Sequence, residues 1–342
     1  MQAVSLKNKL GCWAHERWRT EFVLRMPGLA RLCRFTWSDL RNRNEKIGRG
    51  VDGARICKWT DSSVLTVTRF FPEVGGRLIN HCLDEWPVKL SKEFYHEGHQ
   101  KDPEISVILP VCGKDRIPLF RCVLYSFFGQ TCRNLDIIVV ENGTEPLYKA
   151  FCPTGVKYIF LPMGKNREFN KCKAMNEGVR KARAPYVLLH DADIVIPCSY
   201  VESIIKRLKK GWDAVRPIRF AFNLNSYESK EFMNFTGQHL PGTVESVLQN
   251  FPGLSTAVTK LAFKRIGGCD EQFEGWGGED LEFLDRLKVT KLFPGSYAPG
   301  VHLWHAPAPK KESGDRNLDL LLSILKIPVT ERINMLQRCL DN

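Results

Sequence analysis

A short apolar run ends in two aspartates at Tyr186-Val187-Leu188-Leu189-His190-Asp191-Ala192-Asp193. An uninterrupted apolar run of this length is typical of a β-strand that is buried on both faces. Three similar runs precede it, at residues 105–110, 136–140 and 156–161. Helical spacing at residues 119–128 and 169–182 lies between these runs. Apolar strands that alternate with helices predict a parallel sheet with ligands at the carboxyl ends of its strands.

The chain is predicted to have two parts. Residues 101–342 would form an α/β domain with a mostly parallel central sheet flanked by helices, and residues 1–100 a small, basic α+β extension. In the extension, Ser63–Phe71 reads as a strand ended by Pro72, and Gly76–Leu83 reads as a short helix. The polar stretch Phe94–Pro103 is the expected boundary. Residues 220–252 show no clear period and are expected to be irregular.

Asp191 and Asp193 follow the buried run directly, which would place both carboxylates at the rim of the sheet. Two acids in such a position repel each other unless positive charge lies between them. A divalent cation bound through carboxylate and diphosphate oxygens meets this need, and Mg²⁺ or Mn²⁺ suits such ligands. Taken alone, an Asp-x-Asp pair is more often a solvated acidic turn, and its position after a buried strand favours a ligand site.

A second acidic pair ends a glycine-rich loop, Gly275-Trp276-Gly277-Gly278-Glu279-Asp280, which leads into a helical pattern. Glycines let the backbone approach a ligand closely, and the helix dipole stabilises acids in the first turn. One of these acids could act as a general base on a hydroxyl group. The alternative is an ordinary helix start with stabilising acids, and the glycines and Trp276 favour the functional interpretation.

His302 and His305 follow another apolar run, and an imidazole is a reasonable metal ligand beside an aspartate. A single histidine is more often structural. Two histidines three residues apart favour metal binding by one of them, but the sequence does not choose between them.

The 342 residues carry a formal net charge of +12, with 43% apolar and 26% charged residues. Residues 1–58 hold 13 Lys and Arg against 5 Asp and Glu, mixed with Trp13, Trp18 and other apolar residues. This mixture predicts either peripheral contact with an anionic membrane or an amphipathic segment packed on its own protein. Nucleic-acid binding is not expected, because no reader motif accompanies the charge. No apolar run is long enough for a membrane span or a secretory signal, so a cytoplasmic location is expected.

Residues from about Ile105 to Asn317 resemble nucleotide-sugar glycosyltransferases of the GT-A fold, both family 2 and the C-terminal region of animal β-1,4-galactosyltransferases. Phe169–Gly178 resembles the galactosyltransferase pattern F-N-R-A-K-L-L-N-x-G, and His190–Pro197 is similar to D-V-D-L-I-P. Gly275–Asp280 reproduces G-W-G-G-E-D, whereas Ile138–Thr144 resembles the family 2 pattern V-V-D-D-G-S. The chain departs from the galactosyltransferases at Leu281, where they have a third acid, and at Pro110–Lys114, where they have P-F-R-x-R.

The resemblance implies a role for each matching position. Asp280 would be the catalytic base with Glu279 beside it, and Asp193 would bind Mn²⁺ (or Mg²⁺) together with His305 or, alternatively, His302. The basic residues Lys310 and Lys311 after His305 resemble the run that follows the family's metal-binding histidine. Nucleotide-sugar binding would come from Pro110, Glu141, Phe169, Lys171, Asn176, Asp191, Ala192, Trp276, Gly277 and Gly278.

These features predict an inverting, metal-dependent glycosyltransferase. It would move a galactose or N-acetylhexosamine type of sugar from a UDP-sugar to a carbohydrate or lipid-linked glycan, in surface polysaccharide biosynthesis. One alternative is a retaining enzyme resembling the N-acetylgalactosaminyltransferases, which Asp-x-Asp and Asp280 disfavour because that family has D-x-H and usually asparagine there. Another is a nucleotide-sugar-binding module without activity, which the retention of metal acids, base and histidine disfavours.

Overall fold

The computed structural model describes residues 5–94, 102–165, 167–234, 241–306 and 314–341. Within these ranges the helices are α1 (Leu6–Cys12), α2 (Trp18–Arg25), α3 (Pro27–Leu32), α4 (Thr66–Phe70), α5 (Pro72–Glu85), α6 (Ile117–Phe128), α7 (Lys171–Lys181), α8 (Tyr200–Lys209), α9 (Ser226–Met233), α10 (Lys260–Arg265), α11 (Glu279–Leu287), α12 (Gly314–Ile324) and α13 (Val329–Asp341). The strands are β1 (Ile47–Arg49), β2 (Arg55–Cys57), β3 (Ser63–Val64), β4 (Ile105–Val111), β5 (Leu135–Gly143), β6 (Lys157–Pro162), β7 (Tyr186–His190), β8 (Ile194–Val195), β9 (Ala214–Val215), β10 (Ile218–Asn223), β11 (Ser246–Gln249), β12 (Ser255–Thr259) and β13 (Ala298–His302). None of these helices has the length and apolar character to cross a membrane.

The central sheet has six strands in the order β6-β5-β4-β7-β12-β9. The first four run parallel, and β12 pairs antiparallel with both β7 and β9. Every residue of β4 and β5 is buried, as expected for strands covered on both faces. The four strands and the two helices predicted in this region are confirmed, and so is the mostly parallel α/β fold.

Alternate residues of the central strands enter different hydrophobic clusters. Val107 and Leu109 pack with the residues of α6, whereas Ile108 packs with those of α7 on the opposite face. The contact with α7 is close, because a Cβ atom on Gly178 would lie 2.3 Å from Cγ2 of Ile108. The two layers of helices fix the carboxyl ends of the parallel strands, where the predicted ligand residues lie.

A second sheet has five strands in the order β3-β11-β10-β13-β8. Strands β10 and β13 run parallel, and the other neighbours pair antiparallel. The prediction that residues 220–252 are irregular is therefore wrong for β10, α9 and β11. The sequence signal is weak there because β10 contains Arg219, whose side chain is nevertheless fully buried.

The extended conformation predicted for Ser63–Phe71 holds only for β3, since Thr66–Phe70 forms α4. The β-branched residues favour a strand locally, but burial of Val67 and Thr68 against the core outweighs that preference. Pro72 begins α5, where its missing N–H costs no hydrogen bond. The predicted helix at residues 76–83 is confirmed and is longer than expected.

Residues 5–94 share their core with the rest of the protein. Strand β3 pairs with β11, and the rings of Trp37 and Phe220 lie 5.7 Å apart. The buried guanidinium of Arg219 donates hydrogen bonds to the carbonyl oxygens of Ser38 and Leu40, at 3.0 and 2.7 Å. The division into two domains stays a prediction, and most of its expected boundary, at 95–101, lies outside the described residues.

Candidate active site

The turn that carries Asp191 and Asp193 is fixed by the residues around it. His190, at the end of β7, has one ring nitrogen 2.9 Å from Oγ of Ser255 and the other 2.8 Å from the carbonyl oxygen of Ile194. Burial lowers the pKa of His190 to about 4, so its ring is neutral near pH 7. The backbone N–H of Asp191 donates to the carbonyl oxygen of Leu254 at 2.9 Å.

Asp193, His302 and His305 form a cluster whose ligand atoms all lie within 4.8 Å of one another. Nε2 of His305 is 3.3 Å from Oδ2 of Asp193, and Nε2 of His302 is 3.8 Å from Oδ1. The cluster arises because His302, at the end of β13, pairs with Ile194 of β8, next to Asp193. The sequence left a choice between the histidines, and the structure brings both to the carboxylate.

The protonation states of this cluster suit a cation. Burial raises the pKa of Asp193, but the hydrogen bond from His305 and nearby positive charge, including that of Arg116, outweigh it and hold the pKa below its usual range. Burial lowers the pKa of His302, which favours the neutral ring that ligates metals. One carboxylate with two imidazoles fits a first-row transition metal such as manganese better than magnesium, which prefers oxygen ligands. The residues present therefore fit a divalent metal ion.

Arg116 lies in this cluster and was missed by the sequence analysis. Its Nη1 is 2.7 Å from Oδ2 of Asp193, and its Nη2 is 3.2 Å from Nδ1 of His305. The residue follows β4 on the single helical turn Lys114–Arg116. Basic residues directly after the carboxyl end of a central strand are a signal for anion binding that could have identified it.

A second charged cluster forms around Lys171, the first residue of α7. Its Nζ is 2.8 Å from Oδ1 of Asp191, 3.1 Å from Oδ1 of Asp280 and 3.7 Å from Oε1 of Glu279. Acids from two distant parts of the sequence thus converge on one ammonium group. Since Asp193 is two residues from Asp191, the metal-type cluster and the predicted base lie at the same edge of the sheet.

Three carboxylates around one ammonium group leave an excess of negative charge. Burial, and then repulsion from Asp280, raises the pKa of Glu279 to about 7. Burial also raises the pKa of Asp191 to about 6 despite the nearby Lys171. For Lys171, burial lowers the pKa, but Asp191, Asp280 and Glu279 outweigh it, so the ammonium stays charged. The three carboxylates would therefore be stabilised by a further positive charge or by a proton shared between two of them.

The backbone at two glycines explains the position of Asp280. Gly278 has φ +90° and directly precedes α11, so it turns the chain into the helix that carries the two acids. A Cβ atom on Gly253 would lie 2.0 Å from Oδ2 of Asp280. Only glycine leaves room there for the carboxylate.

Helices at the C-terminus support the loop and α11. The side-chain amide of Asn317, in α12, donates to the carbonyl oxygens of Glu274 and Trp276, at 2.9 and 3.1 Å. The indole of Trp276 is 55% exposed at the mouth of the site. Within α11, the buried Glu282 accepts hydrogen bonds from Arg286 of the same helix, at 2.7 and 2.6 Å, and from Arg332 of α13, at 3.0 Å.

The remaining predicted residues hold parts of the site together. Both carboxylate oxygens of Glu141 are engaged, by the backbone N–H groups of Leu147 and Tyr148 at 3.0 Å and by the hydroxyl of Tyr158 at 2.5 Å. The side-chain amide of Asn176 donates to the carbonyl oxygen of Cys269 at 2.9 Å and accepts from the backbone N–H of Cys269 at 2.8 Å.

Four other predicted positions surround the same edge. The carbonyl oxygen of Phe169 accepts the N–H of Gly275 at 2.9 Å. Pro110 is buried near the end of β4, Ala192 lies between the two aspartates, and Gly277 has φ +99° in the loop. Direct contact of these residues with a nucleotide stays a prediction. The basic residues Lys310 and Lys311 lie outside the described part of the chain.

A cavity of about 30 Å³ lies between the Lys171 cluster and the segment Pro252–Thr256. Its polar walls come from Lys171, Asp191, Glu279 and Asp280, and its apolar walls include Leu189 and Phe283. This space is large enough for water, since about 10–15 Å³ measured in this way is enough for one molecule.

Two families match overlapping parts of the chain. Residues 106–265 match "Glycosyl transferase family 2", and residues 244–297 match "N-terminal domain of galactosyltransferase". The first region contains the Asp191 turn and Lys171, and the second contains the glycine-rich loop with Asp280. Together the two matches include the residues of both charged clusters, except for His302 and His305, which lie beyond the second match.

Several characterised proteins are similar in sequence. Chondroitin synthase from Pasteurella multocida is 23% identical, in an alignment that covers 84% of this chain and 34% of that protein. Validoxylamine A glucosyltransferase from Streptomyces hygroscopicus is 22% identical over 64% of this chain and 55% of the relative. Human chondroitin sulfate N-acetylgalactosaminyltransferase 2 is 26% identical over 41% and 27%, respectively. The chain thus spans between about a quarter and a half of these relatives.

The catalytic domain of Drosophila β1,4-galactosyltransferase 7, solved with xylobiose, aligns with a TM-score of 0.38 and 15% identity, over 63% of this chain and 79% of that one. The family matches and the sequence relatives agree with the parallel sheet and the acids at its edge. This chain resembles both the family 2 glycosyltransferases and the galactosyltransferases.

Proposed function

We propose that the protein is an inverting, metal-dependent glycosyltransferase that uses a UDP-sugar, of the galactose or N-acetylhexosamine type. The observation that carries this proposal is the convergence of two clusters at one sheet edge. Asp193 with two imidazoles provides a metal site, and Asp280, linked to Asp191 through Lys171, provides a base. A single displacement needs these two functions on opposite sides of the donor sugar.

In the proposed reaction, the acceptor hydroxyl loses its proton to the carboxylate of Asp280 as its oxygen attacks the anomeric carbon. The bond from that carbon to the diphosphate oxygen breaks, and UDP leaves with the electron pair. A divalent metal bound to Asp193, His302 and His305 would neutralise charge on the departing diphosphate. Arg116 lies beside the same ligands and would bind phosphate oxygens, since a guanidinium suits their geometry.

Lys171 and Glu279 would orient the substrates. Lys171 holds Asp191 and Asp280 in place and supplies positive charge beside the donor. Glu279, whose pKa is raised to about 7, is partly protonated near neutral pH and can donate or accept a hydrogen bond with a sugar hydroxyl. Trp276, exposed above the loop, offers an apolar face on which a sugar ring can lie.

The decisive experiment compares Asp280→Asn with the wild-type enzyme, after UDP-sugars have been screened with Mn²⁺ and simple glycan acceptors. Loss of the general base should lower kcat by about 10²–10⁴-fold. The Kd for the donor, measured by calorimetry, should stay close to the wild-type value. Asp285→Asn is the matched control, because Asp285 lies on the same helix and pairs with Arg332 outside the cavity. Equal losses of kcat and of donor affinity would contradict the assignment of Asp280.

The anomeric configuration of the first product tests the inverting mechanism. NMR should show the configuration opposite to that of the donor sugar. Retention would instead indicate an enzyme of the N-acetylgalactosaminyltransferase type, and Asp280 would then have another role.

We further propose a carbohydrate or lipid-linked glycan as the acceptor, in surface polysaccharide synthesis by a cytoplasmic enzyme that works at the inner face of the membrane. The similarity to a bacterial chondroitin synthase, which covers most of this chain, supports a polysaccharide product. The test compares soluble oligosaccharides with the same glycans attached to lipid in vesicles. Higher kcat/KM for the lipid-linked form would support the proposal, and equal values would contradict its membrane part.

A further inference from the structure

The helical segment from Leu6 to Leu32, which comprises α1, α2, α3 and the turn between α1 and α2, carries a concentration of exposed apolar side chains. Leu6, Leu10, Trp13, Trp18, Leu29 and Leu32 are each at least half exposed. Leu6, Leu10 and Trp13 have the i, i+4, i+7 spacing of one helix face. Large apolar side chains scattered singly are ordinary on a protein surface, but this density within 27 residues marks an interaction surface. We refer to these six residues as the N-terminal apolar surface.

The same helices also have an inner side that packs on the protein. Cys12, Thr20, Val23 and Ala30 are buried. Helix α1 contacts α4, and α2 contacts α5. An amphipathic segment that only covered its own core would have its apolar residues on this inner side and polar residues outside. The exposed apolar residues therefore need a second explanation.

The helices that carry this surface are mostly basic. Residues 5–34 contain seven Lys and Arg and only two acids, Glu16 and Glu21. Glu16 is buried, and Glu21 accepts hydrogen bonds from Arg77, Arg17 and Arg25. Lys7 and Lys9 are exposed beside Leu6 and Leu10. The outer side of the helices thus offers tryptophan, leucine and an excess of positive charge, with Glu73 and Glu85 of α5 paired to Arg17 and Arg31.

We propose that the N-terminal apolar surface docks on a bilayer that contains anionic phospholipid. Tryptophan and leucine would enter the boundary between headgroups and acyl chains, while Lys7 and Lys9 contact the phosphates. This proposal rests on the proposed function in one respect, because contact with the bilayer would bring the enzyme to a lipid-linked acceptor. Charge complementarity selects this occupant, because a second copy of the chain would present the same positive charge.

The experiment measures binding of the full chain to vesicles by sedimentation, without any nucleotide or acceptor, so a failure of the proposed catalytic function would not affect it. The vesicles contain phosphatidylcholine, either alone or with about a third of phosphatidylglycerol. The wild type should bind the anionic vesicles, and binding should weaken as salt is raised.

Two pairs of variants separate the apolar and electrostatic contributions. The double change Trp13→Ser with Trp18→Ser should reduce vesicle affinity at least tenfold, whereas Tyr227→Ser with Leu261→Ser, at exposed positions elsewhere, should leave it unchanged. Lys7→Glu with Lys9→Glu should remove the preference for anionic lipid. The charge control is Lys230→Glu with Lys326→Glu. Thermal unfolding of each variant checks that the fold is retained.

Absence of wild-type binding, or equal binding by the tryptophan variant and its control, would overturn the proposal. Ultracentrifugation adds a second decisive outcome. A wild-type dimer that the tryptophan changes convert to a monomer, with no vesicle binding by either, would show that the surface contacts a second copy instead.

Discussion

Arg116 donates to the oxygen of Asp193 that also faces His305, so the guanidinium and a metal ion compete for one ligand atom. Hydrogen bonds between charged groups contribute about 1.5–3 kcal/mol. We therefore expect Arg116→Ala to bind Mn²⁺ alone about tenfold more tightly, and to bind UDP in the presence of Mn²⁺ more weakly. Calorimetry with each ligand measures both effects.

Arg121→Ala serves as the control for this change. Its side chain lies over the rings of Tyr125 and Phe151, away from the metal-type cluster. Weaker binding of Mn²⁺ alone by Arg116→Ala would show that Arg116 holds the ligands in place rather than competing for them.

Gly253 leaves room for the carboxylate of Asp280, and this contact makes a sharp prediction. A Cβ atom at this position would meet Oδ2 of Asp280 at 2.0 Å, so Gly253→Ala should displace the carboxylate. A misplacement of about 1 Å can cost about 10²-fold in rate. We expect a loss of kcat of that order with a small change in thermal stability, because the displaced group is the end of a side chain.

Gly28→Ala is the matched control for Gly253→Ala, because nothing lies within 4 Å of a Cβ atom at that position. Its kcat should equal that of the wild type. An unchanged kcat in Gly253→Ala as well would show that the position of Asp280 does not limit the reaction.

The first turn of α11 links stability to pH through Glu279. The pKa of this carboxyl is raised from 4.5 to about 7 in the folded protein, mainly by burial. The protein is therefore most stable, with respect to this group, below pH 4.5, and it loses that stability as the pH rises through 7. A shift of this size corresponds to about 3 kcal/mol, at ~1.4 kcal/mol per pKa unit.

Glu279→Gln is neutral at all pH values and should remove this pH dependence. Its free energy of unfolding in urea should exceed that of the wild type by about 3 kcal/mol at pH 8 and by much less at pH 5. Glu331→Gln, at an exposed position on α13, should match the wild type at both values. A gain that is equal at the two pH values would mean that ionisation of Glu279 is not its cause.

Four strands of the central sheet, β4 to β7, were predictable because each is a largely apolar run, with helical patterns after β4 and β6. The short strands β9 and β12 were not predicted. The same logic located Asp191, Asp193 and the loop before Asp280, since polar residues at strand ends and glycines before a helix are local signals. The convergence of Asp191 and Asp280 on Lys171 depends on tertiary packing, which the sequence pattern does not contain. The resemblance to a known family placed both acids in one site but implied only a nucleotide contact for Lys171.

Local sequence patterns do not predict the structure where distant contacts outweigh local preference. Thr66–Phe70 is helical because the core buries Val67 and Thr68, although alternating β-branched residues favour a strand. Strand β10 was missed because Arg219, which ordinarily marks an exposed position, is buried between carbonyl groups of another segment. Arg116 was missed because its role depends on histidines almost two hundred residues away in sequence.

The N-terminal segment and the glycosyltransferase region share one hydrophobic core, which predicts the behaviour of a truncated protein. Removal of residues 1–100 would expose the face of the second sheet against which Trp37, Leu65 and Leu78 pack. We expect the remaining chain to be insoluble or to lack cooperative unfolding, whereas the full chain should unfold in one thermal transition. Removal of residues 1–5 is the control and should leave the transition unchanged. A stable fragment 101–342 would instead support two independent domains.

The buried guanidinium of Arg219 joins the N-terminal segment around Ser38 to strand β10, which pairs with β13 and so leads toward the metal-type cluster. If the N-terminal helices rest on a lipid surface, the catalytic opening is held at a constant height and tilt above it. Acceptors would then be selected by how far their reactive end reaches from the bilayer, so the length of the growing glycan would itself govern when transfer stops.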